Sequence, residues 1–233
     1  MNREQRTKDN GQPSTDKGRR TGGVAAILLA AGRSRRMGAF KPLLPFGAKT
    51  VVETCIDSLR AAGLSEIVVV VGHRAAELRA RLSHLPVRFA VNDEAGSEMG
   101  ASIARGVEQV SNDMTAALVA LADHPAVTPD AIRFLIERRA ETGAAFVVPA
   151  WRGRGGHPVL IDLAYREELS RLDEGRGLRG LFEAHAPEVL RVEVGCPYVA
   201  RDMDTWEDYR ALHAEVFGVP PPLENPDSGK GSD

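Results

Sequence analysis

The clearest structural signal in the chain is the segment Val24-Ala-Ala-Ile-Leu-Leu-Ala-Ala-Gly-Arg-Ser-Arg-Arg-Met-Gly38. Its first part, Val24 to Ala30, is a continuous apolar run, which is typical of a β-strand covered on both faces. Small residues and three arginines then follow up to Gly38, and Lys41 lies just beyond. Small residues let backbone N–H groups approach an anion, and the cationic side chains add positive charge. The stretch therefore predicts a buried strand followed by a loop that binds phosphate.

Strand and helix signals alternate along the rest of the chain. Apolar runs predict strands at 24–30, 67–71, 87–91, 116–121, 145–148 and 189–194. Apolar residues at helical spacing predict helices at 51–62, 74–83, 102–110, 129–140, 162–171, 178–185 and 205–217. The glycine-rich segment 151–160 predicts a loop or hairpin that returns into the sheet. This alternation predicts an α/β fold with a single doubly wound, mainly parallel, Rossmann-like sheet and right-handed crossovers.

Length and composition fit one globular domain. The chain has 233 residues, of which 43% are hydrophobic and 27% charged, and these are ordinary values for a soluble protein. The formal net charge of −2 gives no reason to expect binding to nucleic acid or to an anionic membrane. We expect residues 22–217 to fold, and the polar segments 1–21 and 218–233 to be disordered tails.

The cysteines and the first residues bear on cellular location. Cys55 and Cys196 are too far apart in sequence to indicate a disulfide framework or a metal-ligand pattern. We expect Cys55, on the apolar face of a predicted helix, to be a small buried hydrophobe. Residues 1–21 contain no apolar run, so neither a signal peptide nor a membrane anchor is expected there, and no stretch has the length of a membrane span. These observations predict a protein of the reducing cytoplasm.

Two acidic motifs lie where ligands bind in such folds. Asp123-His-Pro125 directly follows the strand predicted at 116–121, and Asp202-Met-Asp-Thr-Trp-Glu-Asp208 leads into the last predicted helix. Ligands of open α/β sheets bind beyond the carboxyl ends of the strands. Carboxylates at such a place can hold Mg²⁺ against phosphate oxygens. The motifs therefore predict a metal site beside the phosphate-binding loop.

Each motif also has a simpler interpretation. The loop after Ala30 has neither the Gly-Lys-Ser/Thr of a Walker loop nor a Gly-x-Gly-x-x-Gly pattern, so it could be a solvated basic turn. Asp123 could form a turn before proline, and Asp204 could cap the last helix. We expect Glu207 and Asp208 to complement the helix dipole. His73 and His84 have no motif support and are interpreted as ordinary surface or edge residues.

The motifs taken together resemble the MocA-like molybdenum cofactor cytidylyltransferases, a branch of the MobA-like nucleotidyltransferases with a glycosyltransferase-A-type fold. The resemblance covers about Val24 to Leu212 and rests on Leu29-Ala-Ala-Gly-x-Ser-x-x-Met-Gly38, Lys41-Pro-Leu-Leu-Pro45, Gly100-x-Ser102-Ile, Asp123-His-Pro125, Gly156-His-Pro158, Gly177-Leu-Arg179 and Asp202-x-Asp-Thr-x-Glu-Asp-Tyr209. Three features depart from the family pattern. Trp206 stands where proline is usual, Ala101 stands where a small hydroxyl residue is common, and the stretch around Gly175 lacks the Asp often found before the Gly-x-Arg unit. Residues 22–217 would then be a nucleotidyltransferase domain.

The resemblance implies a role for each matching residue. Arg33, Lys41 and Asp123 would be catalytic. The nucleotide would be bound by Leu29, Ala30, Ala31, Gly32, Arg33, Ser34, Met37, Gly38, Lys41, Gly100 and Ser102. Asp123 and Asp204 would hold Mg²⁺, with Asp202 as a further possible ligand. The second substrate would be bound by Gly156, His157, Pro158 and Arg179.

The implied reaction transfers CMP from CTP to the phosphate of molybdenum-molybdopterin and releases pyrophosphate. The Ala30-Ala31-Gly32 form of the loop resembles the members that use CTP more than those that use GTP. A molybdenum hydroxylase apo-enzyme that receives the cofactor would be a partner. Two alternatives remain open, namely another NTP transferase (with a sugar or polyol phosphate acceptor, or dependent on GTP) and a non-catalytic chaperone that delivers the cofactor.

Overall fold

The structure, a computed structural model, describes residues 22–34, 36–94 and 99–223 of the chain. The strands are β1 (Gly23–Ala30), β2 (Pro45–Phe46), β3 (Lys49–Thr50), β4 (Ile67–Val71), β5 (Arg88–Val91), β6 (Met114–Leu121), β7 (Phe146–Trp151), β8 (Arg154–Gly155), β9 (Val159–Asp162) and β10 (Val189–Glu193). The helices are α1 (Val51–Ala61), α2 (Ala75–Arg81), α3 (Met99–Glu108), α4 (Pro129–Thr142), α5 (Arg166–Leu169), α6 (Gly177–Ala184) and α7 (Trp206–Phe217). The predicted tail 1–21, residues 224–233 of the second tail and Arg35 of the first motif lie outside the described residues.

In the described part of the chain, eight strands form one sheet in the order β10-β7-β9-β6-β1-β4-β5, with β8 paired to β7. The pairs β1–β4, β1–β6, β4–β5 and β7–β10 are parallel. Strand β9 runs antiparallel between β6 and β7, as the predicted hairpin that returns into the sheet. The doubly wound, mainly parallel sheet is confirmed, with β1 near its centre.

Helices cover both faces of the sheet because successive side chains of β1 point to opposite sides. Leu28 belongs to the core cluster that contains Ile56 of α1 and Leu135 of α4. Ile27 belongs to a second cluster with Ile103 of α3. All of these side chains are fully buried, and burial of each stabilises the fold by about 1.5–3 kcal/mol. The predicted strand covered on both faces is thus confirmed.

The helix boundaries follow from local hydrogen bonds. Helix α4 begins after Thr128, whose hydroxyl accepts a hydrogen bond from the N–H of Ala131 at 3.3 Å, and it ends at Gly143 in a left-handed conformation with φ of 70°. The helix predicted at 162–171 is shorter, covering only α5. The reason is that Asp162 caps a 3₁₀ turn over Leu163–Tyr165, which occupies the start of the predicted segment.

The end of the described chain is attached to α7. Gly218, with φ of 73°, terminates this helix. The buried imidazole of His213 lies 2.8 Å from the carbonyl oxygen of Val219 and accepts a hydrogen bond from the N–H of Gly47. The structure describes residues 218–223, which begin the second predicted tail. Of these, Val219 contacts the domain through His213. Within the described ranges, no helix is long and apolar enough to cross a membrane.

Candidate functional site

A large cavity of the described structure lies beyond the carboxyl ends of β1, β4, β5 and β6. Its volume is about 550 Å³. The residues that line it are Leu29, Ala30, Ala31, Gly32, Arg33, Ser34, Arg36, Lys41, Pro42, His73, Asn92, Asp93, Glu94, Met99, Ser102, Leu121, Ala122, Asp123 and Asp204. Open α/β sheets bind ligands beyond the carboxyl ends of strands whose connecting helices lie on opposite faces of the sheet. Strand β1 is at such a point, because α1 packs on one face of the sheet and α3 on the other.

One wall of the cavity is the loop that follows β1. Ser34 has a left-handed backbone with φ of 50°, and its carbonyl oxygen accepts hydrogen bonds from the N–H groups of Met37 and Gly38. Its hydroxyl accepts another from the N–H of Lys41 at 3.2 Å. Among the described residues, no hydrogen bond uses the N–H groups of Gly32 or Ser34. The loop therefore presents backbone donors that an anion can occupy.

Helix α7 holds the loop in place through contacts with Met37. Met37 is buried, and its carbonyl oxygen accepts a hydrogen bond of 2.9 Å from the indole N–H of Trp206. Both residues belong to a small apolar cluster with Tyr209, whose hydroxyl donates to the carbonyl oxygen of Pro45 at 2.6 Å. Met37 thus anchors the loop and does not line the cavity, and neither does Gly38. Trp206, which stands where proline is usual in the family pattern, is part of this anchor.

Lys41 joins the loop to both acidic motifs. It lies in a 3₁₀ turn over Lys41–Leu43 and is buried. Its ammonium group lies 2.6 Å from a carboxylate oxygen of Asp204 and 3.6 Å from one of Asp123. The exposed side chain of Arg36 also pairs with Asp204, at 2.5 Å. Three motifs that are distant in sequence therefore meet at one point of the cavity.

The pair Asp123 and Asp204 fits a divalent cation. Both carboxylates already contact a single cationic atom, the ammonium nitrogen of Lys41, so the two groups can share one cation. In the described ranges, no three His, Cys, Asp or Glu side chains are arranged to hold a metal by themselves. Mg²⁺ commonly takes only one or two protein carboxylates and completes its shell with water and substrate phosphates. The donor set therefore suits a metal that arrives with a nucleotide.

Asp202, the further candidate ligand, contacts a histidine instead of Lys41. Its carboxylate lies 2.9 Å from Nε2 of His124, a buried residue. The two atoms are close, although their alignment is not that of a hydrogen bond. Contact with His124 is the main cause that lowers the pKa of Asp202 below its usual value. Asp202 does not line the cavity.

The four predicted acceptor residues lie away from the cavity lining. Gly156 packs against the backbone of Val199, and Pro158 lines a separate cavity of about 20 Å³. His157 keeps some exposed surface, but burial of its ring lowers its pKa to about 4, so that the imidazole is neutral at pH 7. Arg179 is exposed and pairs with Glu183 at 2.9 Å. Their role in acceptor binding stays a prediction.

Two nucleotide-binding predictions separate in the structure. Ser102 lines the cavity and accepts a hydrogen bond of 2.8 Å from the side chain of Asn92. Gly100 is buried and does not line it, and an added Cβ there would lie 3.3 Å from Leu172. Both residues belong to α3, which begins at Met99, three residues before the predicted helix 102–110.

Sequence reasoning missed several cavity residues. His73, interpreted as an ordinary surface or edge residue, lines the cavity, and its ring packs edge-on against Phe40 at 5.6 Å. Asn92, Asp93 and Glu94 line the opposite side. The position of these residues in the sequence could have identified them. His73 is the second residue after β4, and Asn92 is the first residue after β5. The rule that ligands bind beyond the carboxyl ends of strands would have selected them.

Solved structures share this architecture. The Mycobacterium tuberculosis protein Rv0371c is 30% identical, with a TM-score of 0.74 over 82% of this chain and 97% of that chain. A nucleotidyl transferase from Methanothermobacter is 28% identical, with a TM-score of 0.73 over 84% and 98% of the two chains. Rv0371c has also been solved in complex with manganese, and that structure superimposes with a TM-score of 0.71 at 28% identity. A related fold has therefore been seen with a divalent cation.

Sequence comparisons point to the same group. A protein named nicotine blue oxidoreductase, from Paenarthrobacter nicotinovorans, is 29% identical over 81% of this chain and 96% of that protein. The chain spans about half of a longer relative, the bifunctional IPC transferase and DIPP synthase of Rubrobacter xylanophilus, with 31% identity and 52% of that protein covered. The MobA-like NTP transferase domain matches residues 26–189. The chain therefore belongs to the MobA-like NTP transferase family.

Proposed function

We propose that the protein transfers a nucleoside monophosphate, CMP, from CTP to the phosphate of molybdenum-molybdopterin. The observation that carries the proposal is the meeting of Lys41, Asp123 and Asp204 beside free backbone donors of the loop. A cationic group and two carboxylates at one point suit a triphosphate with its metal. The family to which the chain belongs is named for NTP transfer.

The residues of the cavity would act by electrostatics. The backbone N–H groups of Gly32 and Ser34, with the side chains of Arg33 and Lys41, would bind the triphosphate and stabilise the departing pyrophosphate. A divalent cation such as Mg²⁺, held by Asp123 and Asp204, would supply charge neutralisation between the reacting phosphates. An acceptor phosphate oxygen forms the new bond to the α-phosphorus while the bond to pyrophosphate breaks. No covalent protein nucleophile is needed, because the acceptor phosphate is ionised at neutral pH.

The identity of the substrates is proposed from the motifs. The Ala30-Ala31-Gly32 form of the loop favours CTP, and the resemblance of the motifs to MocA-like proteins favours molybdopterin. A molybdenum hydroxylase apo-enzyme would then take up the product. The Paenarthrobacter relative is named an oxidoreductase, whereas the family to which this chain belongs is named for NTP transfer.

The test is pyrophosphate release with each of the four NTPs in Mg²⁺, with and without molybdenum-molybdopterin. We expect release that requires the acceptor and is fastest with CTP. Release that requires a sugar or polyol phosphate instead would assign a different NTP transferase, and a preference for GTP would correct the base. Tight binding of nucleotide without release under any condition would favour the delivery chaperone.

A further inference from the structure

The buried histidine next to Asp123 has no role in the proposed reaction. His124 is 6% exposed and follows the end of β6 by three residues. It does not line the main cavity. A buried imidazole costs free energy unless its nitrogens find partners, so its contacts indicate what it does.

The two ring nitrogens of His124 face two points of one segment. Nδ1 lies 3.2 Å from the carbonyl oxygen of Tyr198, and Nε2 lies 2.9 Å from the carboxylate of Asp202 in a close contact that lacks the alignment of a hydrogen bond. A carbonyl oxygen can only accept, so Nδ1 carries the hydrogen of the first contact. The single side chain therefore connects the end of β6 to both ends of the stretch 198–202.

This stretch leads directly to Asp204. After a 3₁₀ turn over Pro197–Ala200, residues 201–204 have no regular secondary structure. Among the described contacts of this part of the chain, Met203 is fully buried in the small apolar cluster, and Asp202 contacts His124. The carboxylate of Asp204 points to Lys41, two residues beyond the contact of Asp202 with His124. At the other end, Asp123 is the residue next to His124.

We propose that His124 is a positioning residue that fixes the separation of Asp123 and Asp204. It would act by attaching the segment that carries Asp204 to the strand end that carries Asp123. The proposal rests on the metal role given to these two carboxylates under the proposed function. It also assigns Asp202 a role through His124 instead of a role as a metal ligand.

The affinity for Mn²⁺ shows whether His124 positions the metal ligands or only stabilises the fold. Mn²⁺ binding would be measured by electron paramagnetic resonance for the wild type, His124→Phe, Asp202→Ala and the double variant, with thermal unfolding of each. Phenylalanine keeps a ring in the core but removes both polar contacts. We expect each single variant to bind Mn²⁺ about 10- to 100-fold more weakly, the usual effect of losing a group that orients a metal ligand.

The double variant tests the route of the effect. If Asp202 acts through His124, the Mn²⁺ affinity of the double variant equals that of whichever single variant has the lower affinity. If Asp202 is itself a ligand, the two losses multiply, and the positioning role of the pair is overturned. Because the side chain of Asp202 is 68% exposed, Asp202→Ala tests the proposal even if His124→Phe fails to fold.

His213 provides a matched control. It is also a buried histidine that joins two backbone segments, through Val219 and Gly47, but it contacts neither acidic motif. We expect His213→Phe to lower the unfolding temperature and leave Mn²⁺ affinity unchanged. Equal losses of Mn²⁺ affinity in His213→Phe and His124→Phe would overturn the proposal, because the effect would then be general destabilisation.

Asp123→Asn distinguishes this proposal from the proposed function. If Asp123→Asn abolishes Mn²⁺ binding while His124→Phe and Asp202→Ala leave it unchanged, the metal site stands and the positioning role is overturned. If the wild type binds no Mn²⁺, or Asp123→Asn binds it normally, both the metal site and the positioning role are overturned.

Discussion

Among single residues, Lys41 is the one whose ammonium group contacts both Asp123 and Asp204 in the described structure. It is nearly buried, and a cation in such a place is tolerated only when it is paired. Asp204 at 2.6 Å and Asp123 at 3.6 Å supply that pairing. The same two carboxylates are the proposed metal ligands. Lys41 and a metal therefore compete for them until a triphosphate offers Lys41 another partner.

This competition predicts opposite effects of Lys41→Met on metal binding and on turnover. We expect kcat/KM to fall by about 10²–10³-fold, because one charge that stabilises the transition state is lost. We also expect Mn²⁺, measured without nucleotide, to bind more tightly than to the wild type. Lys49→Met, which removes a lysine paired with Asp57 on the surface, should change neither quantity. Weaker Mn²⁺ binding by Lys41→Met would contradict this view of the site.

We predict that Gly32 is required for triphosphate binding and not for the stability of the fold. It has no positive φ, and an added Cβ would meet no atom within 4 Å. We therefore expect Gly32→Val to leave the unfolding temperature nearly unchanged but to lower kcat/KM by about 10²-fold, through misplacement of the triphosphate. Steady-state kinetics and thermal unfolding would check both parts. A large loss of stability with normal kinetics would show that the glycine serves the fold.

At the scale of elements, the hairpin β7–β8 is fastened to the segment that leads to Asp204. The N–H of His157 donates a hydrogen bond of 2.8 Å to the carbonyl oxygen of Val199. A Cβ added to Gly156 would lie 1.9 Å from that same oxygen. Such a distance is impossible without movement of the backbone, so this glycine permits the close approach.

Gly156→Ala should therefore be strongly destabilising, by about 1–3 kcal/mol or more. Gly155→Ala is the matched control, because the one short contact of its added Cβ would be with the flexible end of Arg191, at 2.9 Å, and Val148 would lie at an ordinary 3.7 Å. Urea unfolding of the two variants checks the comparison. Equal stability of Gly156→Ala and Gly155→Ala would mean that the hairpin and the segment 197–204 do not pack as described.

The start of α7 shows where sequence reasoning about elements fails. Asp204 and Thr205 are adjacent, and both are good N-cap residues, so the sequence could not separate a cap from a metal ligand. In the structure, Thr205 is the cap, and the carboxylate of Asp208 accepts hydrogen bonds from the N–H groups of Thr205 and Asp204. The interpretation of Asp204 as the cap is wrong, and its carboxylate is available to Lys41.

At the scale of the whole molecule, His157 makes stability depend on pH. Burial lowers its pKa from 6.5 to about 4 in the folded state. Between these values the unfolded chain binds more protons, so the free energy of unfolding falls as the pH drops from 6.5 to 4. Above pH 6.5 this contribution is fully present. The full effect is at most about 3 kcal/mol, and the remaining exposure of the residue reduces it.

Urea unfolding at pH 7 and pH 5 tests this dependence. We expect His157→Gln to lose part of the decrease in stability that the wild type shows at pH 5. His84→Gln should retain the decrease, because the side chain of His84 is 61% exposed. An unchanged decrease in His157→Gln would show that other groups cause it.

Patterns within short segments predicted most of the fold. The apolar run of β1 and the β-branched run of β4 identified buried strands, and the alternation with helices identified the doubly wound sheet. The site was predicted less completely, because it depends on contacts between distant segments. The ion pairs of Lys41 could not be read from local patterns, and the side of α3 that carries Gly100 could not be assigned before its packing against Leu172 was known.

The central claim is that Lys41, Asp123 and Asp204 form one metal and triphosphate site. The most direct measurement is the rate of pyrophosphate release from CTP, with molybdenum-molybdopterin and Mg²⁺, by the wild type and by Asp123→Ala. We predict that Asp123→Ala reduces the rate by about 10²–10³-fold or more, while its circular dichroism spectrum stays that of the wild type. A variant that releases pyrophosphate at the wild-type rate would contradict the claim.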